Sequence, residues 1–133
     1  MHKNDDTILW DAYYAYDLEI MQKVAAILGK TDDAKRFEQE YIERKIHFNK
    51  THVDAVTGKT IHLGHRFAWG YRVPKEELPQ KGSFSDTQAS YAIPLAFDLF
   101  DKNTKDKATN NLVTALERKN KDELGVMWKN QSN

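Results

Sequence analysis

Residues 9–29 of the chain, LWDAYYAYDLEIMQKVAAILG, predict a long helix that is apolar around most of its circumference. Trp10 and Met21 widen an apolar stripe that already repeats every three or four residues, as one face of a helix does. A helix with so broad an apolar surface requires neighbours on more than one side. Gly29 is a typical C-terminal stop. We therefore predict a helix over about 6–28. The stripe consists of Leu9, Ala12, Tyr13, Tyr16, Ile20, Val24 and Ile27.

Three further helices are predicted over about 32–48, 86–100 and 104–119. The first of these is charged on one face and apolar on the other, which is typical of a half-exposed helix. Only a few residues separate the members of each pair, so each pair should fold as an antiparallel hairpin. An apolar helix, a short turn and a charged helix thus occur twice. This order predicts an all-α fold in which inner and outer helices alternate.

The segment 49–85 between the two hairpins lacks a helical period and holds four of the six glycines and two of the three prolines. We predict one long irregular loop here, with a tight turn at residues 54–58. Long loops in compact domains are usually either functional or disordered, and the aromatic content of this one favours function. In an array of hairpins, the short turns around Gly29 and Asp101 should share one end of the molecule. The long loop and the positive N-termini of both inner helices should share the other end.

Composition excludes several classes of function. The chain carries 20 Lys and Arg against 20 Asp and Glu, and a balanced charge argues against nucleic-acid binding and against a basic membrane anchor. The chain has no cysteine, so disulfides, zinc–thiolate sites and thiol nucleophiles are excluded. No apolar run approaches the roughly 20 residues that span a bilayer. The polar start, MHKNDDT, does not resemble a secretory signal.

Several motifs, in the same order, resemble the helical catalytic domain of bacterial α-L-rhamnosidases. The first is residues 12–29, AYYAYDLEIMQKVAAILG, followed by KTDDA at 30–34 and FNK at 48–50. Another is residues 85–100, SDTQASYAIPLAFDLF, which is similar to that family's helix start with a glutamine and small residues. The resemblance implies an (α/α)6 barrel of six inner and six outer helices. Residues 1–133 would supply part of it, as two inner and two outer helices.

The resemblance also implies an activity for the parent enzyme, the hydrolysis of terminal rhamnosides with inversion. In such enzymes one acid protonates the leaving oxygen while a second carboxylate activates water. The family's acid precedes the stretch that matches Tyr13, and its base follows the last helix, so neither has a counterpart here and no catalytic residue is assigned. The end of the chain, GVMWK at 125–129, departs from the family's glycine-rich threonine motif. We expect a fragment that is inactive in isolation.

Six residues are candidate contacts for a sugar. Four lie in the loop stretch HRFAWGYR at 65–72, where aromatic faces and hydrogen-bonding side chains suit a pyranose. The alternative for this stretch is a lid over the helix ends. The other two begin the third helix, where Ser85 and Asp86 would otherwise serve as its N-cap. The six candidates are His65, Arg66, Trp69, Tyr71, Asp86 and Gln88.

Metal binding is not predicted. His62 and His65, with His52 and Asp54 upstream, lie in a glycine-containing loop, and their spacing defines no coordination geometry. No phosphate-binding or dinucleotide-binding glycine motif occurs either, so no cofactor is expected.

Two other functional classes remain open. One is a helical-repeat module that binds proteins on a concave surface, although repeats of that kind keep their connections short. The other is a helical-barrel enzyme acting on a different sugar or on uronates. For the rhamnosidase hypothesis the expected partners are a rhamnoside in the parent enzyme and the missing barrel helices, or further copies of the chain. Neither nucleic acid nor membrane is expected.

Overall fold

A computed structural model describes the backbone of residues 6–64 and 80–131, and the side chains of that part as far as Arg118. The described chain contains four helices, namely α1 (Asp6–Ile27), α2 (Thr31–His52), α3 (Gln88–Ala96) and α4 (Lys102–Gln131). Between them the described residues form isolated β-bridges but no strands. The predicted all-α class is confirmed. In this part of the chain no helix combines the length and the apolar character needed to cross a membrane.

The helices α1 and α2 form the first hairpin. Gly29 adopts a positive φ of 70°, and the amide of Lys30 donates to the carbonyl of Ala25 over 2.8 Å, so the left-handed residue closes the end of α1. α2 continues to His52, four residues beyond the predicted end at residue 48. Phe48 and His52 are both buried against the rest of the molecule, and this tertiary packing extends the helix where the local sequence pattern fades.

The third helix is shorter than predicted at both ends. It begins at Gln88, with Thr87 as the N-cap in a capping box with Ser90, so the predicted cap at Ser85 and Asp86 was wrong. It ends at Ala96 because Asp98 takes a positive φ of 53° and the amide of Leu99 donates to the carbonyl of Pro94. The predicted range of 86–100 therefore includes residues of both flanking turns.

The fourth helix is longer than predicted. It begins at Lys102, two residues before the predicted start, and runs to Gln131 rather than to residue 119. The sequence after residue 119 is mostly polar and lies beyond the predicted helix. Lys, Glu, Leu and Met in this stretch have high helix propensity, which favours the continued helix even though Gly125 opposes it.

The helices pack in two layers. α1 packs against α2 and α3 against α4, while α1 also packs against α3, so α1 and α3 form the inner layer. The Tyr16 and Phe97 rings stack at 4.2 Å between the inner helices. The core between the layers is built from Ile8, Ala12, Ala15, Phe48, Val53, Tyr91, Leu99, Phe100 and Ala108.

The two short turns do not share one end of the molecule, contrary to the expectation from ring topology. The α3–α4 turn lies beside the C-terminal half of α2, where the side chain of Asn49 donates to the carbonyl of Leu99 over 2.7 Å and accepts from the amide of Asp101 over 2.9 Å. Asn49 is about 27 Å along α2 from Thr31, the residue next to the first turn. The short α3 thus displaces the second hairpin along the first.

The described arms of the long loop are held together by hydrogen bonds. Val53 bridges Thr60, and Ile61 bridges Phe84 in antiparallel fashion. The predicted turn at residues 54–58 is confirmed, because the amide of Gly58 donates to the carbonyl of Asp54 over 2.7 Å. The loop is therefore an ordered connection across the ends of both hairpins in the part that the structure describes.

α1 leaves much of its apolar surface uncovered. Ile8, Ala12 and Ala15 are fully buried, but eight large apolar side chains on the remaining circumference are between 40% and 84% exposed. We name these eight the α1 apolar face. The described hairpins cover only one side of a helix that is apolar on both, as its sequence predicts. The α1 apolar face consists of Trp10, Tyr13, Tyr14, Ile20, Met21, Val24, Ile27 and Leu28.

Candidate functional site

One polar cluster, centred on Asp86, joins the long loop to α3 and α4. Asp86 Oδ1 accepts a hydrogen bond of 2.6 Å from the hydroxyl of Tyr91. Asp86 Oδ2 lies 3.1 Å from a guanidinium nitrogen of Arg118 and 3.4 Å from the ammonium group of Lys59. Asp86 itself has a positive φ of 46°, a conformation that aspartate tolerates better than most residues. Both carboxylate oxygens are thus bonded to protein donors.

The surroundings of Asp86 favour its charged form. Burial raises the pKa of the carboxyl, but the hydrogen bond from Tyr91 and the charges of Lys59 and Arg118 outweigh burial and hold the pKa below its usual value. Tyr91 is affected in the opposite direction. Its burial, and then its bond to Asp86, raise the pKa of the phenol well above the usual value for tyrosine. The pair is therefore a carboxylate with a neutral phenol around neutral pH.

A buried layer of hydroxyl groups supports this cluster. Thr60 Oγ1 lies 2.8 Å from Ser90 Oγ, and both residues are almost fully buried. Ser90 Oγ also accepts from the amide of Thr87 in the capping box. The loop arm that carries Lys59 and Thr60 is thereby bonded directly to the start of α3.

A second polar cluster, centred on Asp11, joins the start of α1 to the end of α2. His52 Nε2 lies 2.6 Å from Asp11 Oδ2, and His47 Nε2 lies 3.7 Å from the same oxygen. A hydrogen bond donated by His52 to this oxygen places a proton on Nε2 of the ring. The imidazole of His52 is fully buried, and its Nδ1 has no hydrogen-bond partner among the described residues. Asp11 thus provides the observed hydrogen bond of this buried ring.

The sequence did not identify Asp11 as a functional or structural candidate. It stands in the first turns of an apolar helix, where an acidic residue needs a partner if it faces a neighbouring element. An acidic residue within an apolar helix could have marked Asp11 as a candidate. Its partner His52 is 41 positions away, however, and helical spacing does not identify a residue so distant. His52 was considered only as a metal ligand. Among the described side chains, no group of three His, Cys, Asp or Glu residues is placed to hold a metal ion.

The structure locates two of the six predicted sugar contacts. Asp86 lies in the loop just before α3, and Gln88 is the half-buried first residue of that helix. His65, Arg66, Trp69 and Tyr71 lie outside the described residues. The described arms on either side of them are bonded to each other, since the amide of His62 donates to the carbonyl of Ser83 and that of Gly82 to the carbonyl of His62.

The surroundings of Asp86 do not suit a general acid. A general acid that works near neutral pH needs a raised pKa, whereas that of Asp86 is lowered and both of its oxygens are occupied. Asp11 is held by the His52 ring through its Oδ2. Asp11 links the start of α1 to the end of α2, and Asp86 links the loop to α3 and α4.

Comparison with known proteins gives one match. A sequence profile described as the bacterial alpha-L-rhamnosidase 6 hairpin glycosidase domain matches residues 1–127 of the 133-residue chain. No curated protein sequence and no solved structure matches the chain. The match covers the first hairpin, the loop, α3 and α4 as far as residue 127, and the all-α arrangement fits a domain built of helical hairpins. The chain therefore belongs to the bacterial α-L-rhamnosidase six-hairpin glycosidase domain family.

Proposed function

We propose that the chain forms part of the wall of an α-L-rhamnosidase catalytic domain, and that the parent enzyme hydrolyses terminal α-L-rhamnosides with inversion. The profile match over residues 1–127 carries this proposal. A member of a glycosidase family acts on a carbohydrate in its parent enzyme. Inversion requires a carboxylic acid at the leaving oxygen and a second carboxylate that activates water on the opposite face of the sugar.

Within this proposal, the long loop carries the sugar contacts of the chain. Hydrogen bonds between residues 62 and 82–83 fix the two points from which residues 65–79 depart, so the loop has a defined base. The Asp86 cluster attaches this base to α3 and α4. Trp69 and Tyr71 would offer aromatic faces to the pyranose ring, and His65 and Arg66 would bond its hydroxyls. Gln88 would contribute an amide from the start of α3.

The isolated chain should bind a rhamnoside weakly and should not hydrolyse it. The described carboxylates nearest the loop base are engaged with protein donors, and the lowered pKa of Asp86 is the reverse of what an acid catalyst needs. The catalytic pair is accordingly assigned to other parts of the parent domain, as the family resemblance implies.

Saturation-transfer difference NMR with methyl α-L-rhamnopyranoside tests the binding step. The rhamnoside should give a clear signal, while methyl α-D-mannopyranoside at equal concentration should give a much weaker one. Trp69→Ala should abolish the rhamnoside signal. Phe37→Ala, which removes an aromatic ring of α2 outside the loop, should leave it intact.

Two results would contradict the proposal. Equal signals for both sugars, or an unchanged rhamnoside signal in Trp69→Ala, would show that the loop does not recognise rhamnose. Release of nitrophenol from 4-nitrophenyl α-L-rhamnopyranoside by the isolated chain would show that a working acid and base lie within these residues.

A further inference from the structure

The α1 apolar face surrounds one acidic residue. Asp17 is exposed, and the helix positions three and four residues before and after it are Tyr13, Tyr14, Ile20 and Met21. These four are the surface neighbours of Asp17 on a helix, and all four are exposed apolar side chains. Asp17 therefore stands at the centre of an apolar surface.

Asp17 also lacks an ion pair within the described part of the chain. Two residues further on, Glu19 is bonded to Lys23 at 2.7 Å, the usual arrangement for an acidic residue on an exposed helix. None of the positions that could pair with Asp17 along α1 is basic. If the α1 apolar face is covered, this carboxylate needs a basic partner at the interface, because an unpaired buried charge is strongly unfavourable.

We propose that a helix with an apolar face and a central Lys or Arg covers the α1 apolar face and pairs its basic side chain with Asp17. This inference rests on the proposed function, since a further hairpin of the same six-hairpin domain would supply that helix. Eight large apolar side chains are exposed along one side of a single helix, and a contiguous exposed apolar surface of this kind is typical of a contact with another element. The carboxylate of Asp17 further requires a positive charge on the helix that covers this face.

Charge complementarity selects this occupant over a second copy of the chain. Asp17 lies close to the midpoint of the face, which extends from Trp10 to Leu28. A symmetric pair of α1 helices would therefore bring the two Asp17 carboxylates close together in an apolar interface, where like charges repel and are poorly solvated. A helix with a basic residue at the same place satisfies both the apolar surface and the carboxylate.

Two synthetic peptides test the inference with the whole chain. Both are amphipathic 21-residue helices with the same Leu and Ala face, and they differ only in a Lys or a Glu at its centre. Wild-type chain should bind the Lys peptide at least about fivefold more tightly than the Glu peptide, since even a solvent-exposed ion pair can contribute that much. Asp17→Lys should reverse the preference. Asp106→Lys makes the same charge change on α4 and should keep the wild-type preference.

The outcomes separate this inference from the proposed function. Equal binding of the two peptides by wild type, or the same shift in Asp17→Lys and Asp106→Lys, would overturn it. Self-association of the chain without peptide binding in sedimentation velocity would also overturn it, in favour of a second copy as the occupant. Circular dichroism checks that Asp17→Lys keeps its helix content. None of these results depends on rhamnoside binding, which the NMR experiment measures separately.

Discussion

Gly58 determines how closely the turn at residues 54–58 approaches α4. It has a positive φ of 67°, and a Cβ atom at this position would lie 2.6 Å from Lys107 Cβ and 3.2 Å from the amide nitrogen of Ala108. The close approach lets the ammonium group of Lys107 donate to the carbonyl of Val56 over 3.0 Å. Position 58 therefore needs glycine for two reasons: its backbone is left-handed, and there is no room for a side chain.

The variant Gly58→Ala should lower the free energy of unfolding by about 2–5 kcal/mol, from about 1–2 kcal/mol of left-handed strain and about 1–3 kcal/mol of overpacking. Gly82→Ala is the matched control, because Gly82 has a φ of 87° and open space around it. The control should lose only the strain contribution. Urea denaturation followed by circular dichroism measures both, and equal losses would show that the approach to α4 does not matter.

The buried imidazole of His52 makes Asp11 the more important member of its cluster. Asp11→Ala would leave a fully buried ring without the described partner of its Nε2, which should destabilise the fold by about 1–3 kcal/mol. His47→Ala should cost much less, since that ring is half exposed and stands 3.7 Å from Asp11. Thermal unfolding of both variants provides the comparison. A larger effect at His47 would contradict this account of the cluster.

At the scale of elements, α3 shows which features the sequence could predict and which it could not. Its existence followed from local pattern, because small and apolar residues repeat at helical spacing after a polar start. Its start at Thr87 depended on a choice among three capping residues in succession. Asp86 does not cap the helix because Tyr91, Lys59 and Arg118 bond its carboxylate. Lys59 is 27 positions from Asp86 in the chain, and Arg118 is 32 positions from it. Helix-capping preference contains no information about such distant partners.

The bond between Asp86 and Tyr91 should make stability depend on pH at both extremes. A lowered carboxyl pKa contributes stability that is complete above the unfolded value of about 3.9 and is lost as pH falls through the folded value. A raised phenol pKa contributes stability that is complete below about 10 and is lost as pH rises through the folded value. The free energy of unfolding should therefore decline below about pH 4 and above about pH 10.

The variant Tyr91→Phe should weaken both declines, because it removes the phenol and one hydrogen bond to Asp86. Asp54→Asn is the comparison, since the lowered pKa of Asp54 depends on hydrogen bonds from Thr57 and involves no tyrosine. It should weaken the acid decline alone. Urea denaturation across the pH range measures both variants. An alkaline decline that is unchanged in Tyr91→Phe would show that this tyrosine is not its source.

At the scale of the molecule, the sequence predicted the pairing of helices but not the offset between the pairs. Short turns dictate which helices are antiparallel neighbours, and the breadth of apolar surface distinguishes inner from outer helices. The offset arises because α3 has only nine residues against 22 in α1, and because Asn49 fixes the second turn at the level of the C-terminal half of α2. The Asn49 side chain bonds three backbone groups, and a single residue of this kind produces no periodic pattern in the sequence. The site shows the same limit, since its described clusters join residues far apart in the chain.

Asn49 should therefore determine how far the unfolding of the second hairpin is coupled to that of the first. Its side chain bonds the carbonyls of Lys45 and Leu99 and the amide of Asp101, so Asn49→Ala deprives the partly buried carbonyl of Leu99 and the exposed amide of Asp101 of this partner. We expect a loss of about 1–3 kcal/mol. Hydrogen exchange should show amides of α3 losing protection more than those of α1, because α1 keeps its contacts with α2. Gln39→Ala removes an amide whose side-chain bond among the described residues is to Glu43, on the surface of α2, and should change neither value. Equal loss of protection in α1 and α3 would mean that the hairpins unfold as one unit and that Asn49 does not control their coupling.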